Sequence, residues 1–202
     1  MYPVMLNVKD RVCTVIGGGA AARIKTTALV REGAQVRVIS PELNAHFSND
    51  IEHIVKKYEK SDLAGSFIAI AATDNDELNR QIMSDAAEIG ILALNASNSE
   101  TSDFMPMSHI SDGDITIAAS TRGAYPMLAK KICADIDIET YNEICRVLKK
   151  QRSVILAKNA SRETKIALFT ALITDEMMLL GKKDIDAFEK VVRRIVEGKE
   201  KS

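Results

Sequence analysis

The chain has 202 residues, of which 46% are hydrophobic and 27% are charged, with 27 lysines and arginines against 28 aspartates and glutamates. This balance is that of a globular protein and excludes a disordered or collagen-like chain. A net charge of −1 gives no overall basic surface for nucleic acid, and aromatic residues, at 4% with no tryptophan, are too scarce for a base-stacking platform.

The sequence also argues against secretion and against a membrane. No apolar run approaches the roughly 20 residues that a transmembrane helix needs. The first six residues are followed at once by a polar and charged segment, which is unlike a signal peptide. The three cysteines, Cys13, Cys133 and Cys145, are scattered, as is usual in a reducing compartment. We therefore expect a cytoplasmic protein that binds neither nucleic acid nor membranes.

Strand and helix patterns alternate over the first half of the chain. Five short apolar runs rich in β-branched residues predict strands, at residues 11–16, 35–39, 51–57, 67–72 and 91–95. Helical patterns occupy residues 20–31, which Gly33 terminates, and residues 76–90. This alternation indicates parallel βαβ units and an α/β fold.

The pattern changes after residue 95. Residues 96–112 are polar and broken, and a loop of this length in a compact domain is usually functional. Residues 114–120 alternate between apolar and polar side chains, which predicts a half-buried strand. Pro126 suits the first position of the helix that follows.

Only helical patterns follow from residue 139 onward. They predict three helices. Ser161 is the expected N-cap of the second helix, which carries apolar residues as far as Met177. Asp184 is the expected N-cap of the third helix, and Gly198 ends it.

The segment GGGAAA at residues 17–22 fits the pattern G-x-G-x-x-A. Gly17 and Gly19 let the backbone turn tightly and approach a pyrophosphate, and Ala20 and Ala21 open a helix whose N–H groups and positive dipole end favour that anion. The motif follows a predicted strand and leads to another within about 30 residues, which is the context it needs. The pattern predicts a dinucleotide site, and the alternative is a tight strand-to-helix turn without a ligand.

Residues at the ends of two other strands are expected to complete this site. The second strand ends at Ser40, Pro41 and Glu42, where an acidic residue usually binds the ribose 2′-hydroxyl, and Ser40 or Glu42 can take this role. Because no arginine stands at this strand end to bind a 2′-phosphate, NAD is favoured over NADP. Thr73 and Asp74 follow the fourth strand and are expected to line the crevice, with Asp74 as an alternative N-cap of the next helix.

Several spaced motifs agree, in order, with one known family. They are YPVML, VIGGGAAARIK, VISPEL, IAIAATDNDELN, NAS, DFMP and IAASTRGAYPMLAKKI. From residue 2 to about residue 132 the chain therefore resembles the precorrin-2 dehydrogenases and the homologous N-terminal part of siroheme synthase. The helical tail is a weaker match. Members of this family oxidise precorrin-2 to sirohydrochlorin with NAD⁺, and some then insert Fe²⁺ to give siroheme.

The resemblance implies a homodimer with the substrate between the two chains. It also implies an NAD-binding Rossmann-like domain with a parallel sheet at residues 1–112, a dimerisation region at residues 113–138 and a small all-α domain at residues 139–202. Asn95 belongs to a matching motif and joins the expected cofactor-binding residues.

The resemblance carries over to the catalytic residues with a gap. Bifunctional members have an aspartate, proposed as the proton acceptor, at the position where this sequence has Asn98. Because an asparagine cannot act as a general base, Asp103 in the same loop is the alternative candidate, unless it only caps a turn. Ser120 belongs to the matching Ser-Thr-x-Gly motif and is the third expected catalytic residue.

The polycarboxylate substrate calls for cations. Arg122, Lys130 and Lys131 are the expected substrate-binding residues, although the two lysines also fit a solvated helix face. The three histidines show no ligand spacing, so we expect no metal site, and dehydrogenase activity with weak or absent chelatase activity. Two alternatives stay open: a bifunctional dehydrogenase–ferrochelatase, and a non-catalytic NAD-sensing module whose helical tail binds partners.

Overall fold

The computed structural model describes residues 1–44 and 46–198. The chain divides into two units, Met1–Pro106 and Met107–Ser202. The sequence predicted the end of the NAD-binding domain after residue 112, whereas the first unit ends at Pro106. The region expected to dimerise and the region expected to form a separate helical domain fall together in the second unit.

A parallel sheet forms the centre of the first unit. Its strands are β1 (Val12–Ile16), β2 (Gln35–Ile39), β3 (Ile51–Ile54), β4 (Ile68–Ala71) and β5 (Leu92–Asn95). They are arranged in the order β3-β2-β1-β4-β5, and every pairing is parallel. Helix α1 (Ala20–Arg31) and helix α2 (Asp76–Ile89) connect strands of this sheet. The predicted α/β class and the predicted order of its elements are confirmed.

Both faces of the sheet are buried at its central strands β1 and β4, which explains why these strands are almost continuously apolar. On one face, alanines of β4 and β5 pack against Ile82 and Ala86 of α2. On the other face, residues such as Val15 and Ile70 pack with Ala22 of α1. Cys13 of β1 is fully buried, and desolvation raises the pKa of its thiol to about 11, so this cysteine is an inert core residue.

As far as residue 198, where the description ends, the second unit combines a hairpin with five helices. The hairpin consists of β6 (Ser108–Asp112) and β7 (Ile115–Ala119), which pair in antiparallel fashion. The helices are α3 (Pro126–Ala134), α4 (Ile138–Ala157), α5 (Arg162–Ala171), α6 (Asp175–Lys183) and α7 (Ile185–Glu197). Within the described residues, none of the helices is both long enough and apolar enough to cross a membrane.

Two predictions for this unit need correction. The segment at residues 108–112 is strand β6 and not part of a long loop, because it pairs with β7. The helix expected from Ser161 through Met177 is two helices, because α5 ends at Ala171 and the Thr174 hydroxyl accepts a hydrogen bond from the N–H of Met177 to cap α6. The predicted caps Ser161, Asp184 and Gly198 lie where the sequence placed them.

Candidate functional site

The glycine loop after β1 is packed against the segments that follow two other strands. Gly17 has a φ of +128°, and a Cβ built on it would lie 2.2 Å from the carbonyl oxygen of Ala72, directly after β4. A Cβ on Gly18 would lie 1.8 Å from the carbonyl oxygen of Glu42, after β2. A side chain is therefore excluded at both positions, and the loop follows a path that only glycine permits.

Gly19 differs from its two neighbours because the space in front of it is open. A Cβ at this position would meet nothing within 4 Å. Gly19 is the N-cap of α1 and makes no side-chain capping bond, and its carbonyl accepts from the N–H of Arg23. The N–H groups of residues 20–22 are those that a helix leaves without intrahelical partners. Open space, free donors and the positive helix end together fit the pyrophosphate of a dinucleotide.

The loop after β2 is fixed by its own hydrogen bonds. Ser40 is buried, and its hydroxyl donates to the carbonyl oxygen of Glu42 at 2.6 Å. His53 Nε2 donates to the carbonyl of Ser40 at 3.0 Å, and the N–H of Asn44 donates to the carbonyl of Gly18 at 2.9 Å. Pro41 and Glu42 are exposed. Ser40 thus serves to hold the loop, and Glu42 offers the exposed carboxylate at this edge.

The loop after β4 contains Thr73 and Asp74. The N-cap of α2 is Asn75, whose Oδ1 accepts from the N–H groups of Glu77 and Leu78, both at 3.0 Å. The alternative role of Asp74 as N-cap is therefore wrong, and its side chain is exposed. Thr73 is half-buried and hydrogen-bonded to Asn79.

The loop after β5 carries two of the predicted catalytic residues, Asn98 and Asp103, and both take part in its fold. Buried Asn95 accepts from the N–H groups of Ser97 and Asn98 through its Oδ1. Asn98 in turn accepts from the N–H of Glu100 at 3.0 Å and caps a 3₁₀ turn. Asp103 Oδ2 accepts from the N–H of Ala93 at 2.8 Å, which ties the end of the loop to β5.

The remaining predicted residues lie in the second unit, near the turn between β7 and α3. The Ser120 hydroxyl accepts from the N–H of Arg122 at 3.0 Å. Arg122 has a φ of +53°, a left-handed conformation that is uncommon for a non-glycine residue. On α3, Lys130 is exposed and Lys131 forms an ion pair with Asp135.

The structure therefore gathers the predicted residues into two groups. The cofactor-binding candidates lie at the carboxyl edge of the sheet, in the loops after β1, β2, β4 and β5, around the point between β1 and β4 where the strand order reverses. Ligands of doubly wound sheets bind at this edge. Ser120, Arg122, Lys130 and Lys131 form the group in the second unit.

Sequence reasoning missed two residues of the first unit. Asn79 is a fully buried polar residue of α2. Lys25 of α1 is half-buried, and desolvation lowers the pKa of its ammonium group. An asparagine inside a helix, where its propensity is poor, is the one available signal for Asn79. Among the described residues, no three histidine, cysteine or acidic side chains are grouped as metal ligands would be.

Comparison with known proteins agrees with this geometry. A family model described as putative NAD(P)-binding matches residues 4–107. A solved structure described as SirC, precorrin-2 dehydrogenase, is 26% identical with a TM-score of 0.76, and the match covers 98% of this chain and 100% of that one. The chain belongs to the NAD(P)-binding family of the precorrin-2 dehydrogenases. The resemblance read from its motifs is thereby confirmed.

The curated relatives include one that this chain covers almost completely and longer ones that it covers only in part. The precorrin-2 dehydrogenase of Priestia megaterium is 29% identical over 187 residues, which are 89% of this chain and 92% of that protein. The siroheme synthase of Thioalkalivibrio sulfidiphilus is 30% identical over 194 residues, which are 91% of this chain. The chain spans 40% of that synthase and 29% of the synthase from Photobacterium profundum.

The open space at Gly19 predicts that charge there removes cofactor binding without harming the fold. In Gly19→Asp, the new carboxylate caps α1 but faces the pyrophosphate, and two like charges about 4 Å apart repel by about 4 kcal/mol at an effective dielectric constant near 20. We expect an unchanged or higher melting temperature and an affinity for NAD⁺ lowered at least about a hundredfold. Calorimetric titration measures this affinity.

Gly19→Ser is the matched control, because serine adds bulk and a cap without charge. Its loss of affinity should be much smaller than that of Gly19→Asp. Full NAD⁺ binding by Gly19→Asp would show that the pyrophosphate does not lie at this helix end.

Proposed function

We propose that this protein oxidises precorrin-2 to sirohydrochlorin with NAD⁺, as a homodimer in the cytoplasm. The observation that carries the proposal is the open, unblocked helix end at Gly19, in a chain that matches a precorrin-2 dehydrogenase over 92% of that protein's length. The exposed carboxylate of Glu42 supports NAD, because it would bind a ribose hydroxyl and repel a 2′-phosphate. Cys13, Cys133 and Cys145 are free thiols, in keeping with a reducing compartment.

The reaction asks the protein to bind and orient its reactants and to receive a proton. The nicotinamide, when bound, accepts a hydride from a carbon of the reduced macrocycle. The glycine loop and the start of α1 hold the pyrophosphate, and the loops after β4 and β5 form the wall beside it. Holding the two reactants in a reactive geometry supplies much of the rate enhancement.

We assign proton removal to Asp103 and not to Asn98. The Asp103 side chain is exposed, and one of its oxygens accepts the N–H of Ala93. An ionised carboxylate has about four lone-pair sites, so it keeps the capacity to accept a proton from the substrate. Asn98, whose Oδ1 caps the turn, and Ser120, whose hydroxyl accepts from Arg122, take supporting roles.

We assign the substrate carboxylates to Arg122, with Lys130 and Lys131 as further cations. Arg122 holds a left-handed backbone conformation, and strained residues of this kind cluster at functional sites. On α3, Leu128 and Ile132 continue an apolar stripe from Tyr125, and the three side chains are 48%, 44% and 64% exposed. A second copy of this chain is the partner that we propose for this stripe.

Anaerobic incubation with precorrin-2 and NAD⁺ tests the proposed function. We expect the absorbance spectrum of sirohydrochlorin to appear together with stoichiometric NADH, and a lower rate with NADP⁺. NAD⁺ binding without any product would overturn the proposal in favour of an NAD-sensing module. Addition of Fe²⁺ or Co²⁺ to sirohydrochlorin then shows whether the protein also inserts a metal.

The assignment of Asp103 predicts a large and selective loss in Asp103→Asn. The amide keeps an acceptor for the N–H of Ala93 but cannot take a proton, so kcat should fall about a hundredfold or more while the affinity for NAD⁺ is retained. Glu100→Gln, an exposed carboxylate of the same loop, is the control and should keep its kcat. An unchanged kcat in Asp103→Asn would remove this residue from proton transfer.

The conformation of Arg122 allows its side chain to be removed at little cost to the fold. Glycine accepts a positive φ, so Arg122→Gly should leave the free energy of unfolding within about 1 kcal/mol. Loss of its charge-assisted hydrogen bonds should raise the KM for precorrin-2 about tenfold, with an unchanged KM for NAD⁺. Asp10→Gly, the same change at the other non-glycine positive φ among the described residues, should leave both KM values unaltered. An unchanged KM for precorrin-2 in Arg122→Gly would refute the assignment.

A further inference from the structure

Asn79 is fully buried on the second turn of α2, and hydrogen bonds use the whole of its side-chain amide. Its Oδ1 accepts from the N–H of Thr73 at 3.2 Å and from the hydroxyl of Thr73 at 2.7 Å. Its Nδ2 donates to the carbonyl of Thr73 at 3.0 Å and to the hydroxyl of Ser97 at 3.1 Å. An asparagine amide offers two acceptor sites and two donors, so all four are occupied.

These four bonds join two loops that follow neighbouring strands. Thr73 belongs to the loop after β4 and Ser97 to the loop after β5. The residue before Thr73 is Ala72, whose carbonyl oxygen borders Gly17 and whose N–H donates to Ile16 at 2.8 Å. Asn79 therefore holds the residue that directly follows Ala72, and Ala72 is the residue that packs against the glycine loop.

We propose that Asn79 is a positioning residue for the nicotinamide cofactor, which it serves by fixing Thr73 and Ser97 in the wall that the loops after β4 and β5 form beside the pyrophosphate. The inference rests on the cofactor site of the proposed function. Three of the four bonds go to Thr73, including both of its backbone groups, so no rotation of this residue leaves the network intact. A wall that is ordered before the cofactor arrives spares the binding step the cost of ordering it.

The alternative is that Asn79 serves only the stability of α2. This helix contains a second buried polar side chain with comparable bonds: Asp85 accepts from the Tyr58 hydroxyl and from Gln81 Nε2, both at 2.9 Å. Asp85 bonds to neither of the two loops through these contacts. It therefore separates the effect of a buried hydrogen bond on the fold from the effect of one that holds the wall.

The decisive variant is Asn79→Asp, which keeps the shape of the side chain and replaces its donor with an oxygen. That oxygen faces the carbonyl of Thr73, so the loop is pushed from its position. We expect the Kd for NAD⁺ to rise about tenfold, which corresponds to about 1.4 kcal/mol, while the KM for precorrin-2 stays as in the wild type. Calorimetric titration with NAD⁺ gives the Kd, and steady-state rates give the KM.

Asp85→Asn is the matched control. It should lower the melting temperature without changing the Kd for NAD⁺. If Asn79→Asp also lowers only the melting temperature, Asn79 is a structural residue and the inference is overturned.

A milder variant covers the case in which Asn79→Asp does not fold. Ser97→Ala removes a single bond at an exposed residue, and Ser99→Ala in the same loop is its control. We expect Ser97→Ala to raise the Kd two- to threefold, about 0.5 kcal/mol, and Ser99→Ala to leave it unchanged. Equal Kd values for Ser97→Ala and the wild type would overturn the inference. A wild-type protein that binds neither NAD⁺ nor NADP⁺ would instead defeat the proposed function itself.

Discussion

The close approach of two backbone segments at the point where the strand order reverses is the constraint on which the first unit depends. The carbonyl of Ala72 occupies the space where a side chain at position 17 would begin. This contact requires glycine with a positive φ, sets the direction in which the chain leaves β1, and so determines where α1 starts. The crevice at the sheet edge follows from that direction, because the first N–H groups of α1 open toward it.

The three consecutive glycines serve two purposes, close packing of the backbone and access for a ligand. Gly17 and Gly18 permit close packing, one against the end of β4 and the other against the loop after β2. Gly19 faces open space and allows a ligand to approach the helix end. The same three letters therefore combine a requirement of the fold with a requirement of binding, and substitution at the third position is the way to separate them.

Much of the first unit could be predicted because its central strands are buried on both faces and are followed by glycine or by cap residues. The glycine motif gave the start of α1 to the residue, and Gly33 its end. Strand β6 was missed because four of its five side chains are polar, and its pairing with β7 is what makes it a strand. The break between α5 and α6 was missed because the apolar spacing continues across it, although the N-cap Thr174 and the acidic first turn mark the start of α6.

The sequence predicted which loops form the candidate site, but it did not predict which hydrogen bonds their side chains make. Sequence placed Ser40, Thr73 and Asn95 at strand ends, but it could not show that the hydroxyl of Ser40 is used inside its own loop. The role of Asn79 was missed for a related reason, since a polar residue in an amphipathic helix normally faces the solvent. The contacts that decide its role, to Thr73 and Ser97, are six and eighteen residues away.

In the proposed function, the two units would recognise anions by different physics, and neither mode requires a large net charge. The first unit offers a helix end and backbone N–H groups, which attract a pyrophosphate without formal positive charge. The second unit offers the side chain of Arg122, on a backbone held in a conformation that arginine does not favour. A dinucleotide presents the same pyrophosphate in every turnover, so fixed dipoles suffice for it. The proposed macrocycle carries several flexible carboxylates, so recognition of its rim would call for cations that reach outward and would not depend on aromatic side chains.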